Sequence, residues 1–214
     1  MAEAIALIDY GAGNLQSVHN ALKAAGAERV AVTADPEIVR GARRIVLPGV
    51  GSFGACMSGL TAIPGMVEAL EQRVLRDGVP FLGVCVGMQL MADRGLEFGE
   101  TPGLGWIAGE VAPIERTDPE IKVPHMGWNE VSPTPHRAAA GLVEPGEAYF
   151  LHSYHFAPDD GRDIAAMTDH GGGLVAAVAR DNLLGVQFHP EKSGEHGLRF
   201  YRNFVEQALR VHAA

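Results

Sequence analysis

A continuous apolar run at residues 79–84 leads directly into the segment Gly83-Val-Cys85-Val-Gly87. Strands that are apolar on both faces are typical of the centre of a parallel sheet, where helices cover both sides. Parallel strands also need a long crossover connection between them, usually a helix. This run therefore predicts an α/β chain with a buried central strand.

The rest of the first half alternates short apolar runs with helical patterns. Strands are predicted at residues 4–9, 29–33, 44–47 and 79–84, and helices at residues 15–25, 36–40 and 65–77. Strands and helices that alternate in this way favour a parallel sheet with right-handed crossovers. The first half should therefore form a mostly parallel central sheet flanked by helices.

The second half has a different pattern, with apolar runs that Pro and Gly separate. Strands are predicted at residues 106–111, 123–131, 148–152, 164–168, 174–180 and 183–187, and a last helix at about residues 195–211. Asp181-Asn182 lies between two apolar runs, which predicts a hairpin. The predicted fold class is thus α/β with an additional antiparallel hairpin region, and the length favours a single domain over residues 1–214.

Composition excludes several classes of function. The formal net charge is −9 and no Lys/Arg cluster occurs, so a nucleic acid is not expected as the partner. The chain has two cysteines, too few for the disulfide framework of a secreted protein, and its N-terminus lacks the basic residues of a signal peptide. These features predict a cytoplasmic protein.

One uncharged stretch, residues 45–67, is long enough to span a membrane. It contains Pro48, Pro64 and five glycines, which would interrupt a membrane helix that has no neighbours to satisfy its backbone. We therefore interpret it as a strand, a loop and a helix, and expect no membrane association.

The pattern Gly83-Val-Cys85-Val-Gly87 predicts a nucleophile elbow, because it follows a buried strand and precedes a helical segment. Such a turn needs small residues two positions before and after the nucleophile. The Cys85 sulfur would then lie near a helix N-terminus, which favours the thiolate. The alternative is that Cys85 is an inert buried residue, so a catalytic base has to be found elsewhere in the chain.

The segment Gln187-Phe-His189-Pro-Glu191 follows another apolar run and supplies such a base. Residues two apart in an extended segment face the same way, so Glu191 can accept a hydrogen bond from one nitrogen of His189. The second nitrogen is then free for the Cys85 sulfur. The alternative is a surface histidine beside a surface glutamate.

A glycine-rich loop, Pro48-Gly-Val-Gly51, follows the predicted strand at residues 44–47. Acyl transfer needs N–H donors directed at the developing oxyanion, and the backbone N–H groups of Val50 or Gly51, together with that of Val86, are the candidates. A phosphate-binding loop is the competing interpretation. It is disfavoured because the Lys and Ser/Thr of a P-loop are missing.

A metal site and a cofactor are not predicted. His125, His152 and His155 could suggest metal ligands, but His125 is distant along the chain from the other two, and the cysteines lack ligand spacing. Thioester chemistry at Cys85 needs neither a metal nor an electron acceptor.

The elbow and the late His189-Pro-Glu191 make the sequence similar to the triad-type, or class I, glutamine amidotransferases. The resemblance implies the flavodoxin-like fold of that family and a catalytic triad of Cys85, His189 and Glu191. It also implies that Gln89, Ser153 and Tyr154 hold glutamine together with the Gly51 backbone. The implied reaction is hydrolysis of L-glutamine to glutamate and ammonia.

Further segments, at residues 9–15, 48–54, 122–129 and 150–154, resemble one branch of this family. In that branch a separate (β/α)8-barrel cyclase subunit consumes the ammonia and forms imidazole glycerol phosphate and AICAR in histidine biosynthesis. The resemblance implies a heterodimer whose interface on this chain includes Asn14, Trp128, Tyr149 and Lys192. Without the resemblance, Trp128 and Tyr149 could equally be core residues, and Lys192 could be solvated.

Two other functions stay open at this point. One is a glutaminase that serves another synthase, such as the anthranilate or pyridoxal phosphate systems, and only the resemblance at residues 124–128 separates it from the first. The other is a binding module that keeps the fold without turnover. The intact set of Cys85, His189 and Glu191 argues against that module.

Overall fold

The computed structural model describes residues 4–116 and 118–206. Its strands are β1 (Ala4–Ile8), β2 (Arg29–Thr33), β3 (Arg44–Gly49), β4 (Phe81–Cys85), β5 (Arg94–Gly95), β6 (Thr101–Pro102), β7 (Gly109–Pro113), β8 (His125–Pro133), β9 (Gly146–His152), β10 (Tyr154–Pro158), β11 (Ile164–Asp169), β12 (Gly173–Arg180) and β13 (Leu183–Val186). Its α-helices are α1 (Leu15–Ala24), α2 (Pro36–Gly41), α3 (Phe53–Thr61), α4 (Met66–Glu71), α5 (Val86–Gln89) and α6 (Gly194–Glu206).

The central sheet has nine strands in the order β2-β1-β3-β4-β13-β12-β11-β8-β9. The strands from β2 to β13 are parallel, and those from β13 to β9 are antiparallel. Helices flank the sheet: α1 packs against α6, and α4 packs against both α2 and α3. This arrangement confirms the predicted α/β class.

Strand β4 lies between β3 and β13, and all five of its residues are buried. This placement explains the continuous apolar run, since neither face of the strand meets water. β3 extends two residues further than predicted, because Pro48 and Gly49 pair with Val84 and Cys85. The glycine-rich loop therefore starts directly beside the end of β4.

The hairpin predicted around Asp181-Asn182 is confirmed, since β12 and β13 pair antiparallel and Arg180 lies opposite Leu183. Asp181 has φ 52°, in the left-handed region that such turns require. The strand prediction for residues 106–111 was partly wrong, because the observed strand, β7, covers Gly109–Pro113. The backbone N–H groups of Trp106 and Ile107 donate to the Met91 carbonyl instead of joining a sheet.

A second sheet of four strands, in the order β10-β7-β5-β6, was not predicted. β5 and β6 have two residues each, too few for an alternating pattern. β10 is separated from β9 by Ser153 alone, so the sequence does not show that the chain passes from one sheet to the other. Ser153 is thus the junction between the two sheets.

The helical predictions differ from the structure mainly in detail. The helix predicted at residues 65–77 is α4 followed by a π-helical turn, Gln72–Arg76. The C-terminal helix is α6, and residues 207–211 of that prediction lie outside the described residues. Residues 45–67 form the predicted strand, loop and helix, namely most of β3, a loop and α3, together with the start of α4.

In the described part of the chain, no single helix is long and apolar enough to cross a membrane. Phe53–Thr61 and Met66–Arg76 reach the required length and composition only as a pair, and they are bent by 92° relative to each other.

Candidate active site

Three adjacent parallel strands, β3, β4 and β13, bring the candidate residues to one edge of the central sheet. Their carboxyl ends lead into the glycine loop, the elbow and the Gln187-Phe-His189 segment respectively. Carboxyl ends of parallel strands are the usual place for ligands in open α/β sheets. The parallel part of the fold therefore determines where the site lies.

Cys85 occupies a sharp turn between β4 and α5, with φ 55° and ψ −113°. A side chain at Gly87 would place its Cβ 1.8 Å from the Leu47 carbonyl oxygen, and one at Gly83 would place it 2.5 Å from the Gly87 oxygen. Both positions therefore require glycine, as an elbow predicts. Cys85 itself is buried, with 3% of its surface exposed.

His189 lies between Cys85 and Glu191 in the hydrogen-bond network. Its Nδ1 is 2.9 Å from Glu191 Oε1, and its ring lines the same cavity as Cys85. Burial lowers the pKa of His189, but the hydrogen bonds to Cys85 and Glu191 outweigh burial and raise it to about 10. The structure thus places an imidazolium, held by a buried carboxylate, beside the sulfur.

A cavity of about 290 Å³ opens onto Cys85 and His189. All the predicted substrate-side residues line it, namely Val50, Gly51, Val86, Gln89, Ser153 and Tyr154. Gln89, on α5, donates from its Nε2 to the carbonyl oxygen of Tyr154 at 3.0 Å. The elbow helix and the junction between the two sheets are therefore tied together across the cavity.

Three polar residues of the site were not predicted from the sequence. Glu97 lines the cavity, and its Oε2 accepts a hydrogen bond from the Phe53 backbone N–H at 2.8 Å. His152 lines it as well, while Gln187 contacts the Cys85 sulfur from the side of β13. The spacing of two residues between Gln187 and His189 could have indicated Gln187. Glu97 lies in the turn after β5, where no residue pattern applies.

The four predicted interface residues lie close to this cavity or to one another. Trp128 on β8 pairs with Tyr149 on β9, and their ring centroids are 6.3 Å apart. Lys192 lines the cavity and places its Nζ 5.7 Å from the Tyr149 ring centroid. Asn14 directly precedes α1, which contacts the Pro190–Lys192 turn. Trp128 is 57% exposed, which excludes the core alternative for this residue.

The histidines at residues 125 and 152 hydrogen-bond each other, with His125 Nδ1 3.0 Å from His152 Nε2. Burial, with smaller contributions from neighbouring histidines, lowers the pKa of His125 to about 4 and that of His152 to about 3. Both rings are therefore neutral at physiological pH. Over residues 4–116 and 118–206, no three His, Cys, Asp or Glu side chains are arranged to hold a metal ion.

Comparison with known proteins agrees with this geometry. The family model described as glutamine amidotransferase class-I matches residues 6–208. The chain belongs to this family. A solved structure titled as a glutamine amidotransferase has the same fold, with a TM-score of 0.72 and 19% identity, covering 94% of this chain and 97% of that one.

Two relatives are similar to this class I amidotransferase over nearly their whole length, and both are named imidazole glycerol phosphate synthase subunit HisH. The protein from Zymomonas mobilis is 57% identical over 204 residues, covering 94% of this chain and 95% of the relative. The protein from Caulobacter vibrioides is 50% identical over 210 residues, covering 95% and 98%.

Proposed function

We propose that this chain is the glutaminase subunit of an imidazole glycerol phosphate synthase. It hydrolyses L-glutamine to glutamate and ammonia in the cytoplasm, as one domain and without a cofactor. The observation that carries the proposal is the contact of Cys85 with His189, and of His189 with Glu191, at the wall of a cavity. The high identity to two relatives named as subunits of this synthase supports the choice of synthase.

The reaction begins with attack by the Cys85 thiolate on the side-chain amide carbon of glutamine. A carbon–sulfur bond forms, and the negative charge moves to the amide oxygen. The Val86 N–H and that of Val50 or Gly51 stabilise this oxyanion. His189, which is protonated beside the sulfur, donates its proton to the leaving nitrogen, so that ammonia departs and a glutamyl thioester remains.

The second half of the reaction uses His189 as a base. The neutral imidazole accepts a proton from a water molecule, whose oxygen attacks the thioester carbon. The carbon–sulfur bond then breaks, which releases glutamate and restores the thiolate and imidazolium. Glu191 fixes the ring and stabilises its positive charge through both steps, because its Oε1 accepts from Nδ1.

The cavity offers recognition for the amino acid part of glutamine. Glu97 places a carboxylate in the cavity wall, suited to the α-ammonium group. Gln89, Ser153 and Tyr154 supply neutral polar groups on the same wall. Substrate binding thus combines one charged contact with several oriented dipoles, as is usual for small polar ligands.

The partner in this proposal is a (β/α)8-barrel cyclase subunit, which uses the ammonia to form imidazole glycerol phosphate and AICAR in histidine biosynthesis. The β8–β9 ribbon presents the face that would meet it, since its pairing puts Met126 beside Leu151 and Trp128 beside Tyr149. Met126, Trp128 and Leu151 are exposed apolar side chains, as expected of an interface.

The same face adjoins the cavity. Leu151 and the exposed Val50 line the cavity wall, as does Lys192 at its edge. A barrel bound to the ribbon would therefore cover the mouth of the cavity. Ammonia formed at Cys85 could then enter the partner without first reaching bulk water.

Reconstitution with the barrel subunit tests the proposal. The complex should form imidazole glycerol phosphate from either glutamine or ammonium salts, and the Cys85→Ala complex should use ammonium salts alone. A wild-type complex that is active with ammonium salts and inactive with glutamine would overturn the proposal. Loss of both activities in the Cys85→Ala complex would contradict the assignment of Cys85 to glutamine hydrolysis alone.

A further inference from the structure

One buried polar side chain beside the nucleophile has no part in the reaction described above. Gln187 directly follows β13, and 0% of its surface is exposed. Val186 pairs with Val84 in the parallel strands β13 and β4. Gln187 and Cys85 are the residues that follow this pair, so they lie next to each other. Its Nε2 lies 3.7 Å from the Cys85 sulfur, within the range of a hydrogen bond to sulfur.

The orientation of the Gln187 amide follows from its neighbours. Gln89 donates from Nε2 to Gln187 Oε1 at 3.0 Å, and the same Nε2 donates to the Tyr154 carbonyl. The carbonyl cannot donate, so the Gln89 group facing it must be the N–H₂ group. Gln187 must then present its oxygen to Gln89, which leaves its own N–H₂ group directed at the sulfur.

A longer network holds this orientation in place. The Tyr154 carbonyl also accepts from His152 Nδ1 at 2.9 Å, so His152 Nε2 carries no proton and accepts from His125 Nδ1. His125 Nε2 in turn accepts from the Asn129 side-chain amide at 3.0 Å. The hydrogen bonds therefore all run in one direction, from Asn129 through the two histidines to the Tyr154 carbonyl. Gln89 donates to that same carbonyl, which fixes the orientation of its side-chain amide.

We propose that Gln187 is a positioning residue that acts through the Cys85 sulfur. Its amide N–H gives the thiolate a second donor beside His189, which favours the charged sulfur and directs it at the substrate carbon. A thiolate accepts such a bond far better than a thiol, because the bond is charge-assisted. This role rests on the proposed function of Cys85 as the nucleophile.

The competing role for Gln187 is purely structural, as a support for Gln89 in the glutamine site. Two variants separate the roles. Gln187→Glu keeps an oxygen that can accept from Gln89 but has no N–H for the sulfur. Gln187→Met keeps the length of the side chain and removes both functions.

The direct probe is the rate at which iodoacetamide alkylates Cys85 as a function of pH, with the labelled residue located by mass spectrometry. For Gln187→Met we expect the pH midpoint of alkylation to rise by about one unit, so that the rate at pH values below the wild-type midpoint falls about tenfold, as for the loss of one charge-assisted hydrogen bond. Gln187→Glu should show a larger rise, because its carboxylate faces the thiolate. In the complex with the barrel, kcat for glutamine should fall about tenfold in Gln187→Met, while KM stays within about twofold.

Variants with wild-type alkylation profiles and a raised KM would overturn the proposal in favour of the supporting role. Far-UV circular dichroism and binding of the variants to the barrel should equal those of the wild type, which shows that the fold is intact. In the wild-type subunit labelled with ¹⁵N-glutamine, the Gln187 side-chain amide protons should shift upfield when Cys85 is alkylated. An unchanged amide signal would overturn the proposal even if both variants fold poorly.

Failure of the proposed function gives a different result. A wild-type complex that uses ammonium salts but not glutamine would contradict the glutaminase role. The alkylation profiles and the amide signal would still show whether Gln187 donates to the sulfur.

Discussion

The Tyr10 hydroxyl donates to the carbonyl oxygen of Pro48 at 2.7 Å and ties the segment after β1 to the loop that carries Val50 and Gly51. Burial raises the pKa of Tyr10 far above its ordinary value, so the hydroxyl keeps its proton and stays a donor. Cys56 donates from its sulfur to the Val50 carbonyl at 3.4 Å. Two buried side chains thus hold the carbonyls on either side of the Gly49–Val50 peptide.

Replacing Tyr10 by Phe should destabilise the protein by about 1 to 2 kcal/mol, because the buried Pro48 carbonyl loses its partner. We also expect slower glutamine hydrolysis in the complex, since the oxyanion donors at Val50 and Gly51 are then less well held. Urea unfolding and glutaminase rates measure the two effects. An unfolding free energy equal to that of the wild type would contradict this role of the hydroxyl.

Replacing Gly87 by Ala should severely impair folding of the elbow. The new Cβ would lie 1.8 Å from the Leu47 carbonyl oxygen. The backbones of β3 and α5 would have to move apart to remove this clash. We expect a loss of several kcal/mol or an insoluble protein. The thermal midpoint, or the soluble yield where no folded protein forms, provides the measurement.

The matched control is Gly41→Ala at the end of α2. No heavy atom lies within 4 Å of the Cβ that would be added there. The substitution should therefore be neutral or stabilise the protein by up to about 1 kcal/mol, as alanine favours helix. Equal effects of the two substitutions would contradict the steric explanation of the elbow.

Features that depend on local spacing along the chain could be predicted from the sequence, whereas features that depend on packing between distant segments could not. Gly83 and Gly87 could be assigned because an elbow is a local structure with fixed spacing. Glu191 does bond His189, but Pro190–Lys192 form a 3₁₀ turn and not the extended segment that the prediction assumed. Glu97 could not be assigned, because it reaches the cavity only through the packing of a second sheet with two-residue strands.

The β8–β9 ribbon shows the same difference between what a local pattern predicts and what long-range packing decides. The residue pattern of β8 predicted a strand correctly, but Trp128 and Tyr149 were equally consistent with the core until the sheet order was known. β8 and β9 form one edge of the nine-stranded sheet, which leaves one face of the ribbon uncovered. Exposure of an apolar strand residue depends on which elements pack over it, and local sequence does not contain that information.

The neutral His125–His152 pair should make stability depend on pH. The pKa of His125 is about 4 and that of His152 about 3 in the folded chain, whereas an unfolded histidine titrates near 6.5. Between these values the unfolded state binds more protons, so stability is fully present above about pH 6.5 and falls as the pH falls. We expect each of the two rings to contribute a loss on the order of 2 kcal/mol at pH 5 relative to pH 7.

Urea unfolding at both pH values measures this loss, and His125→Gln provides the comparison. Glutamine can still donate to His152 and accept from Asn129, but it does not titrate. The difference in stability between the two pH values should therefore be smaller in His125→Gln than in the wild type. Identical differences would show that other groups cause the pH dependence.

Glu97 should determine the affinity for glutamine. Glu97→Gln removes the negative charge from the cavity and keeps an oxygen that can accept from the Phe53 N–H. If the carboxylate binds the α-ammonium group, KM for glutamine should rise about tenfold to a hundredfold in the complex, because a hydrogen bond to a charged group is lost. The kcat should change little, since Glu97 acts on a part of the substrate that does not react.

The same complex supplied with ammonium salts is the control, because that reaction does not use the glutamine site. Its rate should be unchanged in Glu97→Gln, which would show that the barrel subunit is equally active in the two complexes. Glutamate is the second check: the product retains the α-ammonium group, so its inhibition of the glutaminase should weaken by a similar factor. A raised KM with unaltered inhibition by glutamate would place Glu97 near the side-chain amide instead, and the orientation of glutamine in the cavity would have to be reversed.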